Sequence, residues 1–468
     1  MIKPTFVCGL IAVAAVATAS AEDFPLTFHT VAPKDVMNFP GGYGAMGQLR
    51  LAKPAKLKQE PKAVSGHPLY GECNEADGAT AFLFRLDESK GDGKGYDQLI
   101  VDMNQNGDLT DDVTSPVVVL PTDRKTPPQA MQQRLFGPIG APAVKTVAGG
   151  HPIYFAQAYI NDLSPFLRSG QNAENIYAGQ LRLKAGWYVD TIVELKGLKR
   201  KVGVFDGDTS LRLGEASKPQ IIRNAGEQEN WYFGQGDSIL VDTDGSGSFE
   251  QDQFDSECCP FGPLLYVGAT PYKVALTPDG KSLQVEPWTG ALAEVALQPH
   301  GEQVCRVTLA WEQPNKQWQL VRAGVADGKI QLPPGNYRLY RCELLGKGAP
   351  RDQVMAAGYQ RVTRKPSAFA AGKANTLRCG APLEINVTTE KRTPQPWELM
   401  NSGDPNNRPT ALDSEFVLNI NADVRGVDGE IYSEYAKGEK FKAEPPKPTF
   451  TVMDSRGKKA ANGNLEFG

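Results

Sequence analysis

Two short acidic stretches carry the clearest chemical pattern in this chain. From Asp102 to Asp112, Asp102, Asn104 and Asn106 put side-chain oxygens at the first, third and fifth places. Gly107 follows at the sixth, the aliphatic Leu109 at the eighth and Asp112 at the eleventh. Asp242 to Asp252 repeats the arrangement with Asp242, Asp244 and Ser246, then Gly247, the apolar Phe249 and Asp252. Short oxygen-bearing side chains at alternate places on a curling backbone converge on one point, and glycine at the sixth place permits the sharp turn. Such a point suits Ca2+, a hard cation that takes 6 to 8 oxygens at about 2.3 to 2.6 Å. Asp102, Asn104, Asn106 and Asp112 would neutralise one ion while Asp108 contributes its backbone carbonyl. Asp242, Asp244, Ser246 and Asp252 would hold a second ion with the carbonyl of Ser248.

The spacing matches the start of the EF-hand calcium loop, with one shared departure. The closing carboxylate falls at the eleventh place, and Val113 stands at the twelfth of the first loop where glutamate is usual. Both loops follow apolar strand-like runs, Leu99-Ile100-Val101 and Ile239-Leu240-Val241. They resemble the calcium segments of dockerin modules and thrombospondin type 3 repeats over about a dozen residues each, and that resemblance implies the ion. A third, degenerate copy runs from Asp206 to Glu215, with Asp206, Asp208 and Ser210 at the oxygen places. Leu211 occupies the glycine place, so the turn is expected to be compromised. Tyr96 to Asp112, Asp206 to Glu215 and Asp242 to Phe249 together resemble exported bacterial multi-domain β proteins of uncharacterised function. In residues 323–345, Ala326 to Leu339 includes Asp327-Gly328 and Leu332-Pro333-Pro334-Gly335-Asn336-Tyr337. This stretch resembles the signature of carboxypeptidase-regulatory-like sandwiches and implies a structural β module.

Catalytic patterns are scarce. The chain has four histidines: His29, His67, His151 and His300. It shows no nucleophile-elbow, zinc-protease or phosphate-loop motif. A two-carboxylate glycosidase leaves no local pattern, so a secreted hydrolase acting on polysaccharide or peptide stays open as the alternative function. Glu398 beside Trp397 reads as a surface carboxylate at a linker edge. Trp288, Trp311, Trp318 and Trp397 raise the option of a glycan or envelope component as partner, although most of them should be core.

The elements that must position the loops are β-strands. Ala81 to Leu86, Asp97 to Val101, Pro152 to Ala156, Arg306 to Trp311, Gln317 to Val321 and Asn336 to Arg341 read as strands, and Tyr272 to Val285 as a hairpin closed at Asp279-Gly280. Gly66-His67-Pro68-Leu69-Tyr70 recurs as Gly150-His151-Pro152-Ile153-Tyr154, with a weaker echo at Gly268 to Tyr272. Each pentapeptide reads as the start of a strand. The fold class expected is mainly β, with several small β-sandwich or barrel-like domains joined by Pro/Gly-rich linkers. Boundaries are placed at 22–145 and 146–260 for β domains with the first and second calcium loops. A carboxypeptidase-regulatory-like sandwich at 261–386, a linker at 387–413 and a terminal sandwich at 414–468 follow.

Residues 1–21 read as a signal peptide, with Lys3, an apolar stretch from Val7 to Val16, and the small-x-small site Ala19-Ser20-Ala21. A secreted or periplasmic protein with no membrane span in its mature chain follows. Beyond Cys8 there are six cysteines, an even number that suits disulfides in an exported chain, with connectivity left open. Fifty basic residues against 54 acidic ones leave a net charge of −4 and no footprint for nucleic acid. The function expected is a secreted calcium-binding, disulfide-stapled β-rich protein with a binding or structural role at the cell envelope or outside the cell.

Overall fold

Runs that alternate between apolar and polar residues cannot bury their apolar face as helices, and here they become strands. A computed structural model describes residues 21–468 except 37–38, 40–43, 75–80, 92–94, 119–130, 142–149, 196, 224–228, 243–244, 250–256, 346–353, 360–364, 394–416, 436–448, 454 and 465–468. The leader expected at 1–21 therefore lies almost wholly outside the described residues. These are mainly β; the longest helix among them is the five-residue Ser164–Arg168, and none is long and apolar enough to cross a membrane.

Eight strands close into a barrel, ordered Tyr177–Ala185, Met46–Arg50, Leu69–Asn74, Ala81–Asp87, Gln98–Val101, Ser115–Val118, Met131–Gly140 and Ile153–Asn161. Alternation assigns the two sides of its wall. Phe82, Phe84 and Leu86 join one large apolar core with Leu99 and Val101, whereas Leu83 and Ile100 face the other way. On that second side Leu83 and Ile100 form a separate cluster with Leu57, Tyr70 and Leu109, so the 51–65 segment and the first acidic loop cover the wall.

A five-stranded sheet runs Cys258–Pro260, Ser238–Val241, Leu198–Phe205, Trp187–Leu195 and Thr27–Thr30. A four-stranded sheet runs Glu22–Pro25, Ser282–Pro287, Thr270–Leu276 and Leu264–Val267. Both feed the large core, through Val202, Val204 and Ile239 from the first and Leu283 and Val285 from the second. Further along, Ala293–Gln298, Lys329–Leu332 and Asn375–Arg378 form a small sheet. Its Val295, Ile330 and Leu377 pack on Val307, Leu309 and Leu339 of the neighbouring large sheet, which is sandwich packing. Tyr337 and Leu339 are both buried on one face of Gly335–Leu345, as the Pro-Pro-Gly-x-Tyr spacing predicts.

Two expected boundaries cut through sheets. The barrel takes strands from both sides of 145/146, because Tyr177–Ala185 pairs with both Met46–Arg50 and Ile153–Asn161. Val417–Arg425 and Ile431–Tyr435, assigned to a terminal sandwich, join Glu384–Arg392 and Val354–Tyr359 in the large sheet. Long-range pairing, which linker-like composition does not encode, decides which strands share a sheet. None of the expected disulfide staples is formed among the described residues. Cys73 is buried in the barrel core as a small apolar residue, and Cys258 and Cys259 lean into different clusters from one strand. Cys342 and Cys379 do meet, both buried, with their thiols in hydrogen-bond contact.

Candidate metal centres at the strand ends

The first loop leaves the barrel at the end of Gln98–Val101, and the ladder holds its first residue, because the Asp102 N–H donates to the Leu83 carbonyl at 2.8 Å. The buried Asp102 carboxylate then organises the turn. Its Oδ1 accepts the Asn106 N–H at 3.1 Å and its Oδ2 the Gly107 N–H at 2.8 Å. Asn104 Oδ1 accepts the Asn106 N–H at 3.1 Å, and Asn106 Oδ1 the Asp108 N–H at 2.6 Å. Asp112 returns to the start of the loop, where its Oδ1 accepts the Met103 N–H at 3.3 Å. Its Oδ2 is buried with no hydrogen-bond partner. Burial pushes Asp112 up to about 7, and the charges of Asp102, Asp111 and Asp108 add to the effect against the Met103 hydrogen bond. The loop thus brings together Asp102, Asn104, Asn106, Asp108 and Asp112. Asp111, which the spacing did not single out, accepts from the side-chain amides of Asn104 and Asn106.

The eighth-place residue anchors the loop. Leu109 is fully buried against Leu57, Tyr70, Leu83 and Ile100, and its N–H donates to the Gln59 carbonyl at 3.0 Å. The second loop follows the same plan at the end of Ser238–Val241. Asp242 Oδ1 accepts the Gly245 and Ser246 N–H groups and Oδ2 the Gly247 N–H, at 2.6 to 3.0 Å. Phe249 packs edge-on to Tyr188, with Lys201 4.9 Å from its ring centre. Ser246 and Ser248 lie together in this loop, their hydroxyls 3.2 Å apart. Asp244 and Asp252 lie outside the described residues.

The third loop corrects an expectation. Leu211 at the glycine place does not stop the turn: it adopts φ 60°, and Thr209 two residues earlier also adopts φ 60°. The first loop has Gln105 at 59° and Gly107 at 81° in the same two places, and the second has Gly245 at 82° and Gly247 at 81°. Positive φ in a β-branched or bulky residue is costly and persists only where the surroundings enforce it. Here Asp206 Oδ1 accepts the Ser210 N–H and Oδ2 the Leu211 N–H, repeating the Asp102 pattern. The buried Thr209 hydroxyl accepts the Ala45 N–H at 2.7 Å, which ties the loop to the barrel.

Sequence reading missed one residue of this region. Leu198–Phe205 and Ser238–Val241 pair antiparallel, with Phe205 opposite Ser238, so the next step of the register sets Asp206 opposite Asp237. Asp206, Asp208 and Asp237 converge there, with one oxygen of each within 4.8 Å of the others. Asp206 and Asp237 are buried and Asp208 is partly open. Burial, then the neighbouring charges, push Asp237 well above the usual carboxylate range. Burial, opposed by the Tyr154 hydroxyl, brings Asp206 up to about 7. Two unit charges at this separation repel by about 3.5 kcal/mol at an effective dielectric of about 20. Asp237 precedes a strand with no metal-loop spacing around it, so only the pairing reveals it.

The histidines do not converge. His29 is 2.8 Å from Asp190, His67 lines a shallow depression of about 290 Å³ with Leu51, Pro68 and Ile176, and His151 is exposed. Gly-His-Pro opens Leu69–Asn74 and Ile153–Asn161, as a strand start should. Trp311 stacks on the buried Tyr337, Trp318 packs under Arg338, and Trp288 hydrogen-bonds the Ala291 carbonyl. Trp397 and Glu398 lie outside the described residues. Fold and site together define a mainly β protein with Asx-rich loops at strand ends. Comparison with protein-family models, with curated proteins and with solved structures finds no match to the chain.

Proposed function

We propose that this is a secreted or periplasmic Ca2+-binding protein whose role is structural or ligand-binding at the cell envelope, with the ions bracing loops against the barrel wall and the adjoining sheet. One observation carries the reading: Asp112 returns to the start of the loop, accepting the Met103 N–H, with a buried Oδ2 that no hydrogen bond satisfies. A buried anionic oxygen without a donor is costly, and a cation bound between it and Asp102 relieves the cost. Asp102, Asn104, Asn106, Asp112 and the Asp108 carbonyl would hold the ion. Asp242, Asp244, Ser246, Asp252 and the Ser248 carbonyl would hold the second. An all-oxygen donor set of carboxylates and amides suits calcium better than a softer metal. The ions' contribution is folding stability, about 2.7 kcal/mol for a site at a hundredfold excess of ion over Kd. The leader-like residues 1–21 support export, and the Cys342–Cys379 contact supports one disulfide in an oxidising compartment. The deciding measurement is thermal melting with and without chelator. The melting temperature should fall on chelation, and Asp102→Ala combined with Asp242→Ala should remove the share of that fall that the two loops contribute. A melt indifferent to chelator overturns the proposal.

A further inference from the structure

We propose that Asp206, Asp208 and Asp237 form a further site for a hard divalent cation, built across two paired strands and separate from the two regular loops. Backbone N–H groups and one hydroxyl donate to the cluster. Asp206 accepts the Ser210 and Leu211 N–H groups and the Tyr154 hydroxyl. Asp208 accepts the Ser210 and Gly236 N–H groups. Asp237 accepts the N–H groups of Gly214 and Glu215, both on its Oδ2. Every one of these partners is a donor, which holds the carboxylate oxygens in place as acceptors. Neither a lysine nor an arginine ion pair reaches any of the three among the described residues.

The second observation is Asp237 Oδ1. Asp237 has no exposed surface, and this oxygen has no hydrogen-bond partner, although its carboxylate belongs to the group that converges within 4.8 Å. Three carboxyl groups held as acceptors, with one buried oxygen left over, offer a cation its ligands. Oxygens on opposite sides of one Ca2+ ion are about 5 Å apart at most, given oxygen distances of about 2.3 to 2.6 Å, so a single ion spans this cluster. Partly open Asp208 supplies the approach from solvent. The cross-strand Asp237 stands where the first loop uses its eleventh-place carboxylate, adding a third acidic group to the turn that Asp206 organises.

The test is the number of ions bound per chain, measured on chelator-stripped full-length protein by equilibrium dialysis against Ca2+ and elemental analysis. The site does not depend on the two regular loops, so Asp102→Ala with Asp242→Ala should still retain one ion. Adding Asp237→Asn should remove that ion. Asp237→Asn alone should bind one ion fewer than the parent. Its metal-free melting temperature should equal or exceed the parent's, because a buried charge is gone from an uncompensated cluster, and this separates lost binding from lost folding. Asp208→Asn, on the open side, should weaken the same ion. Unchanged stoichiometry in Asp237→Asn, or a double loop variant that binds no ion, overturns the proposal. Loss of the ion in Asp237→Asn with no change in the double loop variant would instead overturn the reading of the regular loops.

Discussion

The Lys58 N–H donates to the Gly107 carbonyl at 2.8 Å, joining the glycine of the first acidic loop to the segment that covers the barrel wall. Gln59 pairs with Asp108 one step on, and Lys58 Nζ reaches the Asn106 carbonyl at 2.8 Å. The loop is therefore a clasp, and whatever holds it curled also holds residues 57–60 against Leu83 and Ile100. Chelation should accelerate amide exchange at Lys58, Gln59 and Leu109 at least tenfold while the strand Ala81–Asp87 keeps its protection. Hydrogen exchange read by mass spectrometry checks this, and equal acceleration in strand and clasp would mean global loosening instead.

Gly107 tests the turn itself. It sits at φ 81°, and a Cβ added there would lie 2.7 Å from the Lys56 carbonyl oxygen. Both the backbone conformation and the close approach penalise a side chain, at a cost of about 1 to 3 kcal/mol. Gly107→Ala should lower the unfolding free energy by that amount and abolish Ca2+ stabilisation of the first loop. A variant that melts like the parent in chelator and in calcium would show that the clasp tolerates another path.

Leu109 reports the packing beneath the ion. Its side chain is fully buried among Leu57, Tyr70, Leu83 and Ile100. Leu109→Ala should cost about 2 to 5 kcal/mol, the range for a leucine deleted from a core. Because the liganding oxygens remain, calcium should still raise the variant's melting temperature, which separates the apolar anchor from the ion. A denaturation series at saturating calcium and in chelator measures both parts.

How much of this was readable before folding depends on the range of the interaction. Strands such as Val304–Glu312 and the turn at Asp327-Gly328, where φ is 50° and 68°, are local matters of alternation and turn chemistry, and their sequences display them. The first loop is local too, since all its oxygens lie within eleven residues. Barrel closure is not, because it rests on Gln48 meeting Gln180 across 132 positions of chain. Asp237 belongs with Asp206 for the same reason: a ladder of backbone hydrogen bonds brings them together, and no spacing along the chain encodes it. Leu211 also misleads at short range, since its side chain disfavours a conformation that the surrounding hydrogen bonds impose.

The thiols give a chemical test of compartment. Cys342 and Cys379 are buried in contact, whereas Cys73 is enclosed in the barrel and Cys305 donates to the Glu343 carbonyl. Protein recovered from an oxidising compartment should show two fewer titratable thiols under denaturing conditions than fully reduced protein. Cys379→Ser should remove that difference, with peptide mapping placing the bridge. Six reactive thiols in the oxidised preparation would rule the bridge out.

Acid should act on the large sheet through Glu343. This side chain is buried, its Oε1 and Oε2 take Arg322 Nη2 at 3.0 and 3.2 Å, and Arg306 and Arg341 close on it at 2.7 and 3.1 Å. Burial alone would raise its pKa, but Arg322, then Arg306 and Arg341, outweigh burial and bring it down to about 2. A carboxylate whose folded pKa lies below its unfolded value stabilises the fold above the unfolded pKa, and that stability is lost as pH falls through the folded pKa. The sandwich should therefore lose stability from about pH 4.5 down to about 2, whether or not calcium is present. Glu343→Gln should flatten the slope in that window and cost about 3 to 5 kcal/mol near neutrality, because it leaves three guanidinium groups uncompensated. Melting across this pH range in chelator measures the slope free of the metal loops. A slope that survives Glu343→Gln would place the acid sensitivity elsewhere.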